Sequence, residues 1–358
     1  RLEEIRPFHS HGVYKKVPIE ECWKSTGKEP MKVKWVDINK GDEVNPEYRS
    51  RPVAKEINND KREDVFAATP PLEAKKSLFS MAVTQGIGHV DGDKTGGMKI
   101  DFIDISRAYF QAAAVRNVYV ELSEEDYEEG MCGQLQKSMY GTRDAAQNRG
   151  MEYTEFMKEA GFERGKSNPC VFWHPIREIR CVVRGDDFTV LGWKRQLEWF
   201  WNTIKKKFEC KHRARLGPEE SDQKCVRILN RIVEWDDRGI QHEGDQRHVE
   251  ISMQETGILE DSREISTPTD KSVNKLESPD VPLSPEMATR YRGITARMNY
   301  LGQDRSDIQF AVRELGREMS RPTDKSWVKL KRLVRYLTGV PRAFAASTKR
   351  SPEESQSG

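Results

Sequence analysis

Residues 176–192 read Ile-Arg-Glu-Ile-Arg-Cys-Val-Val-Arg-Gly-Asp-Asp-Phe-Thr-Val-Leu-Gly. Two short apolar runs, 179–183 and 188–191, flank a turn that contains Gly185, Asp186 and Asp187. Such runs on either side of a Gly/Asp turn predict a β-hairpin. Two adjacent carboxylates at the tip of a rigid hairpin are suited to hold divalent metal ions against a phosphate. An isolated Gly-Asp-Asp is more often an ordinary polar turn, so a metal site requires a third carboxylate from another part of the chain.

The composition is that of a polar chain that is long enough for two or three domains. Of its 358 residues, 36% are hydrophobic and 33% are charged, and the mean hydropathy is −0.80. No apolar run approaches the roughly 18 residues that a membrane helix requires. The chain begins with Arg1 rather than Met and ends in a polar stretch, so we expect both ends to be cuts through a longer protein.

The net charge of +2 is close to balance, so bulk electrostatics do not by themselves indicate a nucleic-acid-binding protein. Two local basic clusters remain, and each is either a solvated face or a contact for phosphates. They comprise Lys205, Lys206, Lys207, Lys211, Arg213 and Arg215 in one stretch, and Lys325, Lys329, Lys331, Arg332 and Arg335 in the other. The six cysteines form no Cys-x-x-Cys pair, which favours reduced thiols in an intracellular protein.

Changes in residue pattern divide the chain into five segments. Prolines interrupt 1–32, which we predict to be irregular, whereas 33–252 alternates between strand and helix patterns. Residues 253–283 are rich in Ser, Thr, Pro and acidic residues, which is typical of a linker. A helical period covers 284–340, and 341–358 is a polar tail.

A strand that carries a carboxylate near its end supplies the third ligand. Residues 98–105 read Met-Lys-Ile-Asp-Phe-Ile-Asp-Ile, a buried type of strand in which Asp104 is the last acidic residue. Asp104, Asp186 and Asp187 form the set that two-metal nucleotidyl transfer requires, because two ions must activate a 3′-hydroxyl and neutralise a triphosphate. Asp104 and Asp186 are expected to bridge both ions, and Asp187, on the other side of the pleat, to be the more peripheral ligand.

Tyr109 follows Asp104 by five residues, where the strand pattern gives way to a helical one. An aromatic ring at this point can lie beneath the sugar of an incoming nucleotide and exclude a 2′-hydroxyl. The alternative is an ordinary core aromatic residue, and Tyr109 alone does not decide between the two.

Four motifs follow one another along the chain: Tyr48-Arg-Ser-Arg-Pro-Val-Ala-Lys55, Asp104-Ile-Ser-Arg-Ala-Tyr-Phe110, Lys137-Ser-Met-Tyr-Gly141 and Gly185-Asp-Asp187. Together they resemble the reverse transcriptase of Ty1/copia-type retrotransposon polyproteins, between about residue 33 and about residue 339. The first resembles the basic hairpin of the family's fingers, and the second resembles its first catalytic motif. The third resembles its Lys-Ser-Leu-Tyr-Gly motif and the fourth its Tyr-Val-Asp-Asp box. Their order and spacing make the resemblance specific.

The resemblance implies an α+β fold of the right-hand polymerase type, with fingers, an antiparallel palm sheet and a thumb. The palm is expected at about 98–192, the thumb at about 195–252, and a helical connection-like segment at 284–340, with the chain ending before a ribonuclease H domain. The implied activity is that of an RNA-directed DNA polymerase that adds dNTPs to a primer 3′-hydroxyl. The implied cofactor is a pair of Mg²⁺ ions, with Mn²⁺ as a substitute.

The resemblance also implies roles for individual residues and partners. Arg51 and Lys55 become candidates to bind the incoming triphosphate, and Asp144 stands where the family has a Gln thought to contact the nucleotide. The first basic cluster, from Lys205 to Arg215, would lie where the phosphates of an RNA or DNA template–primer pass. The implied partners are the template–primer, dNTPs, and the integrase and ribonuclease H segments of the same polyprotein. The implied location is a cytoplasmic virus-like particle or the nucleus.

Several positions depart from the family pattern. Arg184-Gly185 replaces Tyr-Val before the paired Asp residues, Gln147 replaces an Arg, and Arg149 replaces an aromatic residue. The carboxylates are intact but their surroundings are altered, which leaves a second hypothesis open. The chain would then be a decayed or co-opted remnant that binds template–primer without regard to dNTP, Mg²⁺ or Asp186. A metal nuclease is a third reading, although no general-base motif supports it.

Overall fold

The structure is a computed structural model that describes residues 1–39, 45–57, 66–89, 96–228, 231–259, 265–270, 280–340 and 344–348. It divides into two compact units. Unit 1 comprises Arg1–Lys75 and Ile100–Ala214, and unit 2 comprises Lys76–Lys99 and Arg215–Gly358. All three predicted metal-binding carboxylates therefore belong to unit 1.

The elements up to residue 216 belong wholly or mainly to unit 1, except for most of α3. The helices are α1 Leu2–Ser10, α2 Ile19–Thr26, α3 Leu72–Val83, α4 Ala145–Glu159 and α5 Lys194–Lys207. The strands are β1 Tyr14–Pro18, β2 Val33–Asn39, β3 Tyr48–Ala54, β4 Lys99–Ile105, β5 Tyr119–Val120, β6 Met131–Leu135, β7 Glu163–Arg164, β8 Val171–His174, β9 Ile179–Arg184, β10 Asp187–Gly192 and β11 Cys210–Leu216.

Six of these strands form the central sheet of unit 1, in the order β11-β4-β10-β9-β8-β7. The run from β10 to β7 is antiparallel throughout. Apolar residues of β9 and β10, such as Val183 and Phe188, share one buried cluster with Phe156 of α4 and with Leu197 and Phe200 of α5. The apolar residues of both helices recur every three or four positions, so each helix buries one face. The predicted α+β class is confirmed.

The basic hairpin predicted near residue 33 is present as β2 and β3, which pair from Val33 with Ala54 to Asn39 with Tyr48. Its second strand lies against the loop at Gly141. The Ala54 N–H donates to the Tyr140 carbonyl at 2.8 Å, and Gly141 has φ +90°. A Cβ at Gly141 would collide with the Ala54 carbonyl oxygen, so only glycine permits this approach.

Unit 2 contains a second antiparallel sheet and a group of helices. Its strands are β12 Cys225–Ile228, β13 Arg231–Asp236, β14 Gly239–Glu243 and β15 Phe344–Thr348, and its helices are α6 Arg247–Thr256, α7 Pro285–Leu301, α8 Gln309–Arg317 and α9 Asp324–Gly339. The helical pattern predicted beyond residue 284 is confirmed. Ser284 caps α7 by accepting from the Met287 N–H at 3.3 Å, and Pro285 occupies the first turn, where its missing N–H costs nothing.

The structure differs from the predictions in two terminal segments. Residues 1–32 are not irregular, because α1, β1 and α2 form there; Pro7 lies inside α1, while Pro18 ends β1. Pairing of β1 with β6 and burial of Phe8 stabilise this segment, and both contacts are distant in sequence. Within the predicted polar tail, β15 pairs with β14, while 341–343 and 349–358 lie outside the described residues.

The predicted thumb and linker are also divided differently from the sequence pattern. Helix α5 packs in the core of the central sheet and belongs to unit 1, whereas residues from Arg215 onward belong to unit 2. Helix α6 extends to Thr256 inside the predicted linker, of which 260–264 and 271–279 lie outside the described residues. No helix in the described part of the chain is long and apolar enough to cross a membrane.

Candidate functional site

The hairpin predicted at residues 176–192 is formed by β9 and β10. Arg184 pairs with Asp187 at its end, which leaves Gly185 and Asp186 as a two-residue loop. Gly185 has φ +57°, in the left-handed region that a tight hairpin turn requires and glycine adopts without strain. The loop therefore presents Asp186 at the tip, while Asp187 begins the returning strand.

The end of β4 meets this tip. The Ile105 N–H donates to the Asp186 carbonyl at 2.9 Å, and β4 is the neighbour of β10 in the sheet. Burial raises the pKa of the Asp187 carboxyl, and the negative charges of Asp104 and Asp186 raise it further. The structure thus brings the three predicted carboxylates into electrostatic range of one another, because adjacent strands carry them to the same end of the sheet.

Each of these carboxylates also faces a cation. The Arg149 Nη1 atom lies 3.2 Å from Asp186 Oδ1, and the Arg213 Nη2 atom lies 3.0 Å from Asp104 Oδ2. Lys75, a buried residue of α3, opposes the rise in the pKa of Asp187. Arg149, Arg213 and Lys75 thus bring positive charge close to the three carboxylates.

Carboxylate oxygens are the donors that Mg²⁺ prefers, so the chemistry of the three residues suits that ion. Their placement does not. Among the residues that the structure describes, no group of three or more His, Cys, Asp or Glu side chains is positioned to hold a metal ion. Since Asp186 and Asp104 are turned toward guanidinium groups, the observed arrangement does not fit a bound metal ion.

Tyr109 and Arg51 meet at Tyr140. The Tyr109 and Tyr140 rings lie edge to face with centroids 4.8 Å apart, and the Arg51 guanidinium lies 4.7 Å from the centre of the Tyr140 ring. Burial raises the pKa of Tyr140, and the charges of Arg51, Asp186 and Arg49 also act on it. Tyr140 therefore contacts two predicted substrate-binding residues and lies within electrostatic range of the carboxylate at the hairpin tip.

Asp144 is held by a partly buried ion-pair network. Arg116 donates to both oxygens of Asp144 and to both oxygens of Glu56, at distances from 2.6 to 3.0 Å. The Arg143 N–H also donates to Glu56, at 2.7 Å. Burial acts to raise the pKa of Asp144, but the hydrogen bonds from Arg116 outweigh it and the pKa lies below its usual range. The acid is therefore neutralised by Arg116.

Lys55 is exposed one residue beyond the end of β3. Its backbone N–H donates to the Lys32 carbonyl at 2.8 Å, which continues the hairpin. Because side chains alternate along a strand, Lys55 shares a strand face with Arg51 and Arg49.

A cavity of about 690 Å³ opens beside the hairpin tip. Its walls include Tyr109, Gly185, and Gln147 and Arg149 of α4. Phe66 also lines it and is 71% exposed. The cavity therefore adjoins the carboxylates, and three positions that depart from the family pattern line it: Gln147, Arg149 and Gly185.

The first basic cluster is dispersed in the structure. Lys207 pairs with Glu152 at 2.7 Å, Arg213 pairs with Asp104, and Lys205 lies 5.8 Å from the centre of the Trp201 ring. Three consecutive residues at the end of α5 point in different directions, because each helical residue turns the chain by about 100°. Lys206 and Lys211 are exposed, and Arg215 belongs to unit 2.

Sequence reasoning missed Lys75, Arg116 and Arg49 as neighbours of the candidate site. Arg49 alone carried a usable signal, since it precedes Arg51 by two residues on the same strand. Lys75 and Arg116 lie in a helix and a loop whose positions depend on the tertiary fold. No pattern around either residue in the sequence indicates its carboxylate partner.

Comparisons with known proteins identify relatives of this chain. Residues 22–218, more than half of the chain, match the family described as "Reverse transcriptase (RNA-dependent DNA polymerase)". The "Retrovirus-related Pol polyprotein from transposon TNT 1-94" of Nicotiana tabacum is 24% identical over 362 residues, which cover 94% of this chain and 25% of that protein. The corresponding protein from transposon RE2 of Arabidopsis thaliana is 25% identical over 308 residues, covering 82% of this chain and 19% of that protein. The chain thus spans a quarter or less of these relatives.

A solved structure of "the foamy viral protease-reverse transcriptase in complex with dsDNA" is also similar. The TM-score is 0.49 at 11% sequence identity, and the match covers 98% of this chain and 58% of that one. This degree of similarity supports no argument about the site.

Proposed function

The chain belongs to the reverse transcriptase (RNA-dependent DNA polymerase) family, and we propose that it is the polymerase segment of a copia-like Pol polyprotein. The proposed reaction adds a dNTP to the 3′-hydroxyl of a primer paired with an RNA or DNA template. One observation supports this proposal above the others. The bond from the Ile105 N–H to the Asp186 carbonyl places Asp104 beside the paired Asp residues of the hairpin.

The proposed cofactor is a pair of Mg²⁺ ions, which Mn²⁺ could replace, and the proposed ligands are Asp104, Asp186 and Asp187. Such ions supply positive charge to a 3′-hydroxyl and to a triphosphate. In the observed arrangement Asp104 and Asp186 pair with guanidinium groups, which would compete with a bound ion.

The proposed nucleotide site lies between the hairpin tip and β3. Arg51, on the Tyr140 ring, is the favoured residue for the triphosphate, with Lys55 and Arg49 on the same strand face. Tyr109 is proposed to lie beneath the sugar, because it lines the cavity next to Gly185. Asp144, neutralised by Arg116, is proposed to line the nucleotide site without repelling the phosphates.

The proposed template–primer surface includes the cluster from Lys205 to Arg215, with Lys206 and Lys211 the most accessible members. The proposed fingers are β2 and β3, and the proposed palm is the central sheet with α4 and α5, an arrangement consistent with a polymerase of the right-hand type. The thumb and the connection-like segment are proposed within 215–340. Integrase and ribonuclease H segments of the same polyprotein are the proposed partners, in a cytoplasmic virus-like particle or in the nucleus.

Primer extension tests this function. The full chain is incubated with poly-rA, oligo-dT, dTTP and Mg²⁺, and incorporation is compared with that of Asp186→Asn and of Asp236→Asn, a partly exposed carboxylate in unit 2. We expect incorporation by the intact chain and by Asp236→Asn, and a loss of at least about 100-fold in Asp186→Asn. Absence of incorporation by the intact chain, or an undiminished rate in Asp186→Asn, would refute the function.

A second candidate, a nucleic-acid-binding remnant, is favoured by the pairing of Arg149 with Asp186 at 3.2 Å. In that case template–primer binding is salt-dependent but indifferent to dTTP, Mg²⁺ and Asp186. A tighter complex on addition of dTTP with Mg²⁺ would exclude the remnant.

A further inference from the structure

Arg149 projects from α4 into the wall of the cavity beside the hairpin tip. Only 9% of its side chain is exposed, and its guanidinium lies 3.2 Å from Asp186 and 5.9 Å from the centre of the Tyr153 ring. Tyr153 and Phe156, further along α4, are buried in the core of the central sheet. The packing of these residues therefore fixes α4 and holds the backbone of Arg149 beside Asp186.

Arg213 makes a comparable contact with Asp104, but its side chain is much more exposed to solvent. Its side chain is 60% exposed, so water can replace the carboxylate as its partner at little cost. The attraction between Arg149 and Asp186 is less screened, because the guanidinium is nearly buried. Of the two arginines that pair with Asp186 and Asp104, Arg149 is thus the harder one to displace.

A divalent ion that binds Asp186 through Oδ1 competes with Arg149 for that oxygen atom. If Arg149 stays in place, the ion adds two positive charges beside that cation, in a partly buried cluster to which Arg213 and Lys75 also bring positive charge. The ion therefore binds more weakly whether it has to displace Arg149 or has to bind beside it. In the described residues no group of three or more His, Cys, Asp or Glu side chains is positioned to hold a metal ion, which agrees with this competition.

We infer that Arg149 is a positioning residue that competes with a divalent cation for Asp186 and thereby lowers the metal affinity of this chain. The inference rests on the proposed function, in which Asp104, Asp186 and Asp187 are the metal ligands. By this inference Arg149, which departs from the family pattern, affects metal affinity directly, although α4 contributes none of the three proposed metal ligands.

Metal binding without catalysis tests the inference. Free Mn²⁺ is measured by electron paramagnetic resonance while it is titrated into the full chain, with no nucleotide or nucleic acid present. The variant is Arg149→Gln, which removes the charge and retains a good helix former. The matched control is Lys158→Gln, because Lys158 is an exposed cation on the same helix that lines the same cavity. Asp186→Asn identifies the site.

We expect Arg149→Gln to bind Mn²⁺ about tenfold more tightly than the intact chain, and Lys158→Gln to change affinity less than about twofold. Asp186→Asn in the Arg149→Gln background should abolish the gain. Mn²⁺ affinity that is equal in the intact chain and in Arg149→Gln overturns the inference, as does a gain that survives Asp186→Asn.

If near-ultraviolet circular dichroism shows that Arg149→Gln does not fold, Arg149→Lys is measured instead. Lysine keeps the charge but loses the planar fork that fits a carboxylate, so its affinity for Mn²⁺ should lie above that of the intact chain by about two- to threefold. An unchanged affinity in a folded Arg149→Lys counts against the inference. A chain that binds Mn²⁺ as expected but extends no primer contradicts the proposed function alone.

Discussion

Arg116 donates two hydrogen bonds to Asp144, from Nε at 2.9 Å and from Nη2 at 2.6 Å. The same guanidinium holds both oxygens of Glu56, two residues beyond the end of β3. One cation therefore connects the β2–β3 hairpin to the start of α4. The acid at position 144, which would repel a triphosphate in isolation, is compensated inside the protein.

Replacement of Arg116 tests this compensation. Arg116→Met leaves two carboxylates with side chains only 11% exposed and without their shared cation, so we expect the free energy of unfolding to fall by about 2 kcal/mol. Urea unfolding followed by circular dichroism measures the change. Lys207→Gln is the control, because the Lys207 pair with Glu152 is more exposed and should contribute less than about 1 kcal/mol. Equal effects of the two variants would contradict the role of Arg116.

The stability of unit 2 should depend on pH through His242. This residue is 5% exposed; its burial and the charges of Lys76 and Arg231 lower its pKa to about 4, and Asp304 opposes them. The unfolded chain binds this proton near pH 6.5. Between these values the unfolded state holds more protons than the folded state, so the free energy of unfolding falls as the pH is lowered, by about 3 kcal/mol in total from this residue.

Urea unfolding at pH 7 and pH 4.5 measures this dependence. His242→Gln should lose less stability over that interval than the intact chain, whereas His9→Gln, at a half-exposed position, should behave like the intact chain. An unchanged pH dependence in His242→Gln would show that other groups are responsible.

Tyr109 should set the discrimination between dNTPs and ribonucleotides if it lies beneath the sugar. Tyr109→Ala removes the ring that contacts Tyr140 and lines the cavity, so we expect the ratio of ribonucleotide to deoxynucleotide incorporation to rise by at least about tenfold. Tyr109→Phe retains the ring and should leave the ratio unchanged. A ratio that is the same in all three proteins would assign Tyr109 to the core alone.

Binding of template–primer should depend on Lys206 and Lys211. Fluorescence anisotropy with a labelled RNA/DNA duplex at several salt concentrations gives the slope of log affinity against log salt. Removal of both charges in Lys206→Gln/Lys211→Gln should reduce that slope by up to about 2, since each lost phosphate contact lowers it by about 1. Lys24→Gln, an exposed cation in α2, is the control and should leave the slope unchanged.

The sequence was sufficient for the local structure and for the family. The two apolar runs around Gly185 predicted the β9–β10 hairpin, and the helical period predicted the helices beyond residue 284. These features depend on neighbours within a few residues, which is why a pattern can reveal them. The ordered motifs identified the family that the profile match confirmed.

The tertiary structure decided what the three carboxylates face. Asp104, Asp186 and Asp187 were recognised as a set from the sequence, but their partners come from α4, β11 and α3. Electrostatic interactions depend on distance and burial, and both arise only when remote segments pack together. The hairpin at residues 176–192 is thus determined by its own sequence, whereas the charge around its tip, on which metal binding depends, is determined by the fold.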